Sequence, residues 1–183
     1  MRVISGSRRG RQLITLKGDK TRPSTGKVRA AIFSSLQSVV PGSTCLDLCA
    51  GSGGMGIEAL SRGAAYCHFV DNYAPACRVV RANLKELALE ELASVHCLDV
   101  GVACRQLAAG WGKAFDLVFL DPPYHQEDVY LRSVEGIEAL LRPRALIIIE
   151  HSPHNLPRAP YAQYIKTRKY GSTAVSYFRN GGD

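Results

Sequence analysis

An acid, two prolines and an aromatic follow one another at Asp121-Pro122-Pro123-Tyr124, directly after the apolar run Phe115-Asp116-Leu117-Val118-Phe119-Leu120. A double proline cannot continue a β-ladder, and it fixes an extended backbone whose carbonyls stay free to accept hydrogen bonds. The chemistry that needs such a turn is transfer to an exocyclic amine of a base. Its lone pair is delocalised into the ring, so it is a poor nucleophile. A carboxylate and a backbone carbonyl that accept both N–H bonds favour the pyramidal, nucleophilic form, and an aromatic ring stacked on the base fixes its approach. Asp121, Pro122 and Tyr124 are therefore the candidate catalytic residues. A purely structural turn would explain two prolines alone, but it explains poorly the acid and the ring that flank them.

A second stretch, Leu46-Asp47-Leu48-Cys49-Ala50-Gly51-Ser52-Gly53-Gly54-Met55-Gly56-Ile57-Glu58, places glycines between a strand-like run and a helix-like one. Such a turn brings backbone and helix N–H groups close to a ligand. Gly51, Gly53 and Gly56 also satisfy the dinucleotide spacing, with Asp71 following Gly51 by twenty residues, where a ribose-binding acid belongs. Asp47 tilts the choice. An acid at the strand end repels a pyrophosphate but suits the ammonium and sulfonium of S-adenosylmethionine, which leaves a dinucleotide as the second reading. Asp47, Ala50, Gly51 and Gly53 are the loop's candidate contacts. Asp71, ending Phe69-Val70-Asp71, is placed to accept both ribose hydroxyls, although an acid here could also cap the following helix. Asp99, after Val95-His96-Cys97-Leu98, has the equivalent place for an adenine amino group.

These residues need a scaffold that gathers strand ends. From Thr44 onward short apolar runs alternate with longer amphipathic stretches, the pattern of strands joined by crossover helices. Strands are predicted near 44–48, 67–70, 93–98, 115–120 and 144–150, and helices near 54–62, 74–87, 100–108 and 127–141. Val28, Ile32, Leu36 and Val39 predict an earlier helix, capped by Ser24 or Thr25 and ending before Pro41-Gly42. Ala162–Thr167 and Thr173–Phe178 flank a turn and predict an antiparallel hairpin at the sheet's edge. Met1–Ile4 and Gln12–Leu16 predict an N-terminal hairpin or arm over residues 1–20, with little core content and a docking role. The fold class expected is α/β, a doubly wound, mostly parallel, Rossmann-like sheet in one domain of 183 residues.

Charge is unevenly placed. Residues 1–30 carry nine Lys or Arg against one acid, residues 31–157 nine against fourteen, and residues 158–183 five against one. A basic head and tail around an acidic middle suggest a polyanion docking beside the core, with Arg8 and Arg9 as arm contacts. A solvated surface is the plainer alternative. Six cysteines without a CxxC pair read as small buried residues of a reducing cytoplasm, and no metal site is expected. No membrane-spanning run or signal peptide is expected, and a monomer is favoured.

The chain resembles the bacterial ribosomal small-subunit guanine-N2 methyltransferases, which have class I S-adenosylmethionine-dependent folds. The likeness runs through Arg22-Pro23-Ser24-Thr25 to Val28-Arg29, the Leu46 to Gly56 loop continuing into Glu58-Ala59-Leu60-Ser61-Arg62-Gly63-Ala64, and the Asp121 to Tyr124 turn. The Arg-Pro segment separates this family from general DNA amino-methyltransferases. The resemblance implies that the early segment reaches over cofactor and substrate, putting Arg22, Thr25 and Arg29 near the site, with Arg22 and Arg29 toward phosphate. Gly26 and Lys27 stand where the family usually has an acid and Arg, and Cys49 replaces a common aromatic.

The reaction expected is in-line displacement. The base amine attacks the sulfonium methyl, S-adenosylhomocysteine leaves, and the excess proton passes to Asp121 or water. The partner expected is ribosomal RNA or the small ribosomal subunit. Adenine-N6 or cytosine-N4 methylation of DNA, and non-catalytic nucleic-acid binding on a vestigial cofactor fold, are the rival readings.

Overall fold

The computed structural model describes residues 1–16, 26–122 and 127–181. Arg22, Thr25 and Tyr124, and the cap expected at Ser24 or Thr25, lie outside the described residues. Seven strands form one sheet: β1 Thr44–Leu48, β2 Tyr66–Asp71, β3 Ala93–Cys97, β4 Phe115–Leu120, β5 Leu141–His151, β6 Ala162–Tyr170 and β7 Thr173–Asn180, in the order β3-β2-β1-β4-β5-β7-β6. The first five run parallel, while β7 pairs antiparallel with both β5 and β6. This is the doubly wound sheet with a terminal hairpin that the alternating pattern predicts. The helices are α1 Gly26–Ser35, α2 Gly54–Ser61, α3 Ala74–Glu86, α4 Val100–Trp111 and α5 Glu127–Ile137.

The sheet is apolar on both faces because it is covered on both. Phe33 of α1, Ile57 of α2 and Val80 of α3 pack with Cys45, Phe69, Leu117, Phe119 and Ile148. On the other face, Val100 and Leu107 of α4 and Val134 and Ile137 of α5 pack with Leu46, Leu48, Val118 and Ile147. Strand residues alternate between the two layers, so parity along a strand tells which layer a side chain serves. Each fully buried Leu, Ile or Phe stabilises this arrangement by about 1.5–3 kcal/mol.

Several boundaries differ from the sequence reading. The helix expected over 127–141 stops at Ile137, and a 3-10 turn at Glu138–Leu140 leads into β5. Leu141 already pairs with Phe115 as the first residue of β5, so the chain must leave the helix before it. Likewise α1 ends at Ser35, whose hydroxyl bonds the Ile32 carbonyl at 2.7 Å. The chain then tightens, with Val39 and Val40 both donating to the Leu36 carbonyl, and this turn buries Val40 instead of the periodic Val39. Of the six cysteines, Cys97 is exposed and Cys49 partly buried, against the expectation that all are interior.

The N-terminal arm is a hairpin in which Val3 and Arg11, Val3 and Gly10, and Met1 and Leu13 are joined by backbone bonds around an Arg2–Gln12 bridge. It is not poor in core residues. Val3 and Leu13 are each 3% exposed within the larger core. No helix among the described residues is long and apolar enough to cross a membrane.

Candidate active site

β1 delivers the chain to a tight turn at the carboxyl end of the sheet. Cys49, Gly51 and Gly53 have φ of 59°, 55° and 80°, a left-handed run that glycine tolerates and cysteine adopts only under strain. Ala50 holds the turn itself, donating to the Val70 carbonyl and accepting from Gly53. Gly53 precedes α2 and faces inward, with a virtual Cβ 3.2 Å from Ile57 and 3.3 Å from Phe69 and Val80. Gly56 permits the closest approach of helix to sheet, since any side chain there would collide with Phe69 and Cys67. Gly51 differs from both, because a Cβ on it would meet nothing within 4 Å. Of the two candidate glycines it is the one that faces open space.

The acids at the strand ends converge around this turn. Asp47 is 3% exposed beneath it and accepts the Gly56 N–H at 2.8 Å. Burial, opposed by the Gly56 bond and aided by the charge of Asp71, pushes its carboxyl up to about 7. Asp71 accepts the Gly51 N–H through Oδ2 and the Tyr73 N–H through Oδ1, both at 2.8 Å. It thus ties the turn to the end of β2 without being the cap of α3, a position held by Tyr73. A carboxylate oxygen can accept from two donors at once, so bracing the turn is compatible with holding a ligand hydroxyl. Asp99 caps α4 by accepting the Gly101 N–H at 2.9 Å, while its other oxygen pairs with Arg132 at 2.8 Å. Both oxygens are thus engaged within the protein.

Leu48 pairs with Leu120 across β1 and β4, so Cys49 and Asp121 leave neighbouring strands side by side. The Cys49 thiol registers the gathering: burial raises it, and the charges of Asp71, Asp121, Asp47 and Asp99 each raise it further. Asp121 is itself held well above the usual carboxylate range by burial, then by the charges of Glu150 and Asp47. Pro122 is buried beside it.

Glu150 is a participant that motif reading missed. It is 7% exposed at the end of β5, where the pairing of Leu120 with Ile149 brings it next to Asp121. Its signal was present in the sequence, since an acid ends the apolar run Ala145–Ile149 just as Asp71 and Asp121 end theirs.

The N-terminal arginines are placed differently from expectation. Arg29 is 2% exposed, bonds the Arg2 carbonyl at 2.6 Å and the Met1 sulfur at 2.8 Å, and lies 3.8 Å from Glu58. The phosphate contact expected of it is therefore corrected: its guanidinium is enclosed by the protein. Arg8 donates to the Leu87 carbonyl at 2.6 Å and caps the end of α3, leaving Arg9 exposed at the tip. That tip, where Ser7 and Arg8 bond Ser61, sits at the far end of α2, about 12 Å from the glycine turn at 1.5 Å per helical residue.

The chain matches the family described as conserved hypothetical protein 95 over residues 1–179. It is 40% identical over 186 residues to "Putative rRNA methyltransferase YlbH" of Bacillus subtilis (strain 168), covering all of both chains. It is 32% identical over 165 residues to "Ribosomal RNA small subunit methyltransferase D" of Escherichia coli (strain K12), covering 87% of this chain and 79% of that one. Among solved structures, "Putative methyltransferase yhhF from Escherichia coli" superposes with a TM-score of 0.86 at 28% identity over 100% of this chain and 99% of the other. "Crystal structure of SMU.776, a putative methyltransferase complexed with SAH" shares the fold, with a TM-score of 0.68 at 14% identity over 82% of this chain and 49% of that one.

Proposed function

The chain belongs to the conserved hypothetical protein 95 family, that of ribosomal RNA small subunit methyltransferase D, and from that premise we propose that it methylates small-subunit ribosomal RNA with S-adenosylmethionine, at the exocyclic N2 amine of a guanine. The observation that carries the reading is the side-by-side exit of Cys49 and Asp121 from β1 and β4. It puts the acid–proline turn against the turn that would hold the methyl donor.

The residues fit that donor. Gly51 leaves open space above a left-handed backbone, Asp71 braces the turn with oxygens that can also accept from ribose hydroxyls, and Asp47 is a buried acid beneath a place suited to a cation. When bound, S-adenosylmethionine supplies an electrophilic methyl on a positively charged sulfur. Asp121 and the Pro122 carbonyl accept the two amine N–H bonds, and Tyr124 stacks on the base. Asp121 then takes the proton that the new secondary amine must lose. Its carboxyl, raised by burial and by Glu150, is a stronger base than an ordinary carboxylate. Arg9, exposed at the arm's tip, with Arg22 and Thr25 from the resemblance, are the proposed RNA contacts of the N-terminal region.

The test is to offer methyl-labelled S-adenosylmethionine with naked small-subunit RNA, with assembled small subunits and with duplex DNA. Label recovered as N2-methylguanosine from RNA or subunits is expected. Label in adenine or cytosine of DNA alone would replace this reading with a DNA amino-methyltransferase, and RNA binding without transfer would replace it with a non-catalytic one.

A further inference from the structure

We propose that the outer strand of the C-terminal hairpin, β6, is a docking strip for the substrate RNA, with Arg168 and Lys166 meeting its phosphodiester backbone beside the methylation site. The proposal rests on the methyltransferase reading above and adds to it a surface that neither motif contains.

The site has an electrostatic problem. Asp47, Asp71, Asp121 and Glu150 crowd the carboxyl ends of four neighbouring strands, with Asp99 beside them already paired to Arg132, and a phosphate chain laid over those that are ionised would be repelled. An uncharged base can enter such a rim, but the backbone carrying it needs cations close by. The arm and α1 do not supply them at that end. Arg29 is buried against Glu58, Arg8 caps α3, Arg11 pairs with Glu86 at 3.0 Å, and the tip points to the far end of α2.

Strand register identifies what does. Leu120 pairs with Ile149, Glu150 with Val175, and Val175 with Arg168. Asp121, Glu150, Val175 and Arg168 therefore form one row across β4, β5, β7 and β6. Ile148, Val175 and Tyr177 belong to the core layer that contains Phe119, so by alternation Asp121, Glu150 and Arg168 emerge on the same face. Three strand spacings separate Arg168 from Asp121, about 14 Å, a span that a few nucleotides bridge. Arg168 is exposed, and Lys166, two residues earlier and opposite Tyr177, lies on the same face with its ammonium 4.8 Å from the Tyr177 ring centroid. Residues 158–183 carry five basic side chains against one acid. Cations on an edge strand also deter pairing with another chain, so that role is the alternative the experiment must separate.

The measurement is methyl transfer to small-subunit RNA, together with anisotropy of a fluorescent fragment of that RNA over a salt series. Lys166→Ala/Arg168→Ala is expected to raise KM for RNA about tenfold with kcat and S-adenosylmethionine affinity unchanged. Its log K against log salt slope should be shallower by about 1.4, at about 0.7 for each single-strand phosphate no longer neutralised. The charge-keeping swap Lys166→Arg/Arg168→Lys should behave as the parent, guarding against a folding artefact. Arg179→Ala, exposed on β7 but paired with Leu146 at the opposite end of the sheet, should change nothing. Unchanged KM and salt slope in the double alanine variant, an equal effect from Arg179→Ala, or a swap as weak as the alanines would each overturn the proposal. So would a concentration-dependent dimer in the alanine variant with RNA binding intact, which would assign the charges to edge protection. If the parent chain transfers no methyl to RNA, the functional reading fails separately, and the anisotropy arm still decides whether the strip binds RNA.

Discussion

Two buried charge clusters lie on the same face of this molecule, and they are built in opposite ways. At the base of the arm, Glu58 is 1% exposed and accepts the Ile4 N–H at 2.8 Å, the Ser5 N–H at 3.0 Å and the Arg62 guanidinium at 2.7 Å, with Arg29 at 3.8 Å. Opposite charges and backbone donors meet there, and the result fastens the arm to α2. At the strand ends, Asp47, Asp71, Asp121 and Glu150 bring like charges together, and burial, with the charge of Asp71 acting on Asp47 and those of Glu150 and Asp47 on Asp121, drives two of these carboxyls toward the protonated form. A compensated buried charge is architecture. A crowd of like charges destabilises the fold, and it becomes useful when a cationic or hydrogen-bonding ligand arrives.

The comparison breaks most decisively at Asp121. Asp121→Ala should lower turnover by about 100-fold to 1,000-fold with S-adenosylmethionine affinity within a few-fold of the parent, measured by labelled transfer and calorimetry. Loss of both together would recast Asp121 as a cofactor residue. At the opposite cluster, Arg29→Met should destabilise the fold by about 3 kcal/mol, the lower end for a broken buried pair, because Arg62 remains to Glu58. Denaturant unfolding measures this, and a variant as stable as the parent would mean that Arg29 does not hold the arm.

Asp47→Asn separates the two clusters by pH. A carboxyl raised to about 7 in the folded chain holds a proton that the unfolded chain has already released, so its contribution to stability falls as pH rises from the ordinary carboxylate range to about 7. Asparagine lacks that penalty and can still accept from Gly56. The variant's melting temperature should therefore gain on the parent across this window and stay level above it, and a constant gap would refute a raised carboxyl. Glu150→Gln should shift the acidic limb of kcat/KM to lower pH, since removing the neighbouring charge lowers the Asp121 carboxyl. The smallest effect is expected at the exposed Arg11–Glu86 pair, whose side chains are 53% and 67% exposed. Arg11→Ala should change stability by about 0.5 kcal/mol or less, and a larger loss in thermal melting would give the arm's surface charges a structural part.

Much of this architecture was legible in local pattern. Strands 44–48 and 115–120 end where their apolar runs end, the glycine turn announces itself, and Asp47, Asp71, Asp99 and Asp121 stand where strand-end acids were expected. Arginine was legible only as charge. Nothing local distinguishes Arg29, enclosed against Glu58, from Arg9, left in solvent, because burial of a long side chain depends on which element lands on top of it. Glu150 was missed for a related reason: β5 follows β4 by twenty residues, and only pairing makes their ends neighbours.

By itself the sequence determined the alternation of strand and helix, the left-handed glycine turn and the acids at strand ends, since each follows from bonding and sterics within a few residues. Tertiary structure decided which charges cancel and which accumulate. It also inserted β7 between β5 and β6, so that Arg168 falls into the row of Asp121. That row depends on register between strands distant in the chain, and no local periodicity encodes it.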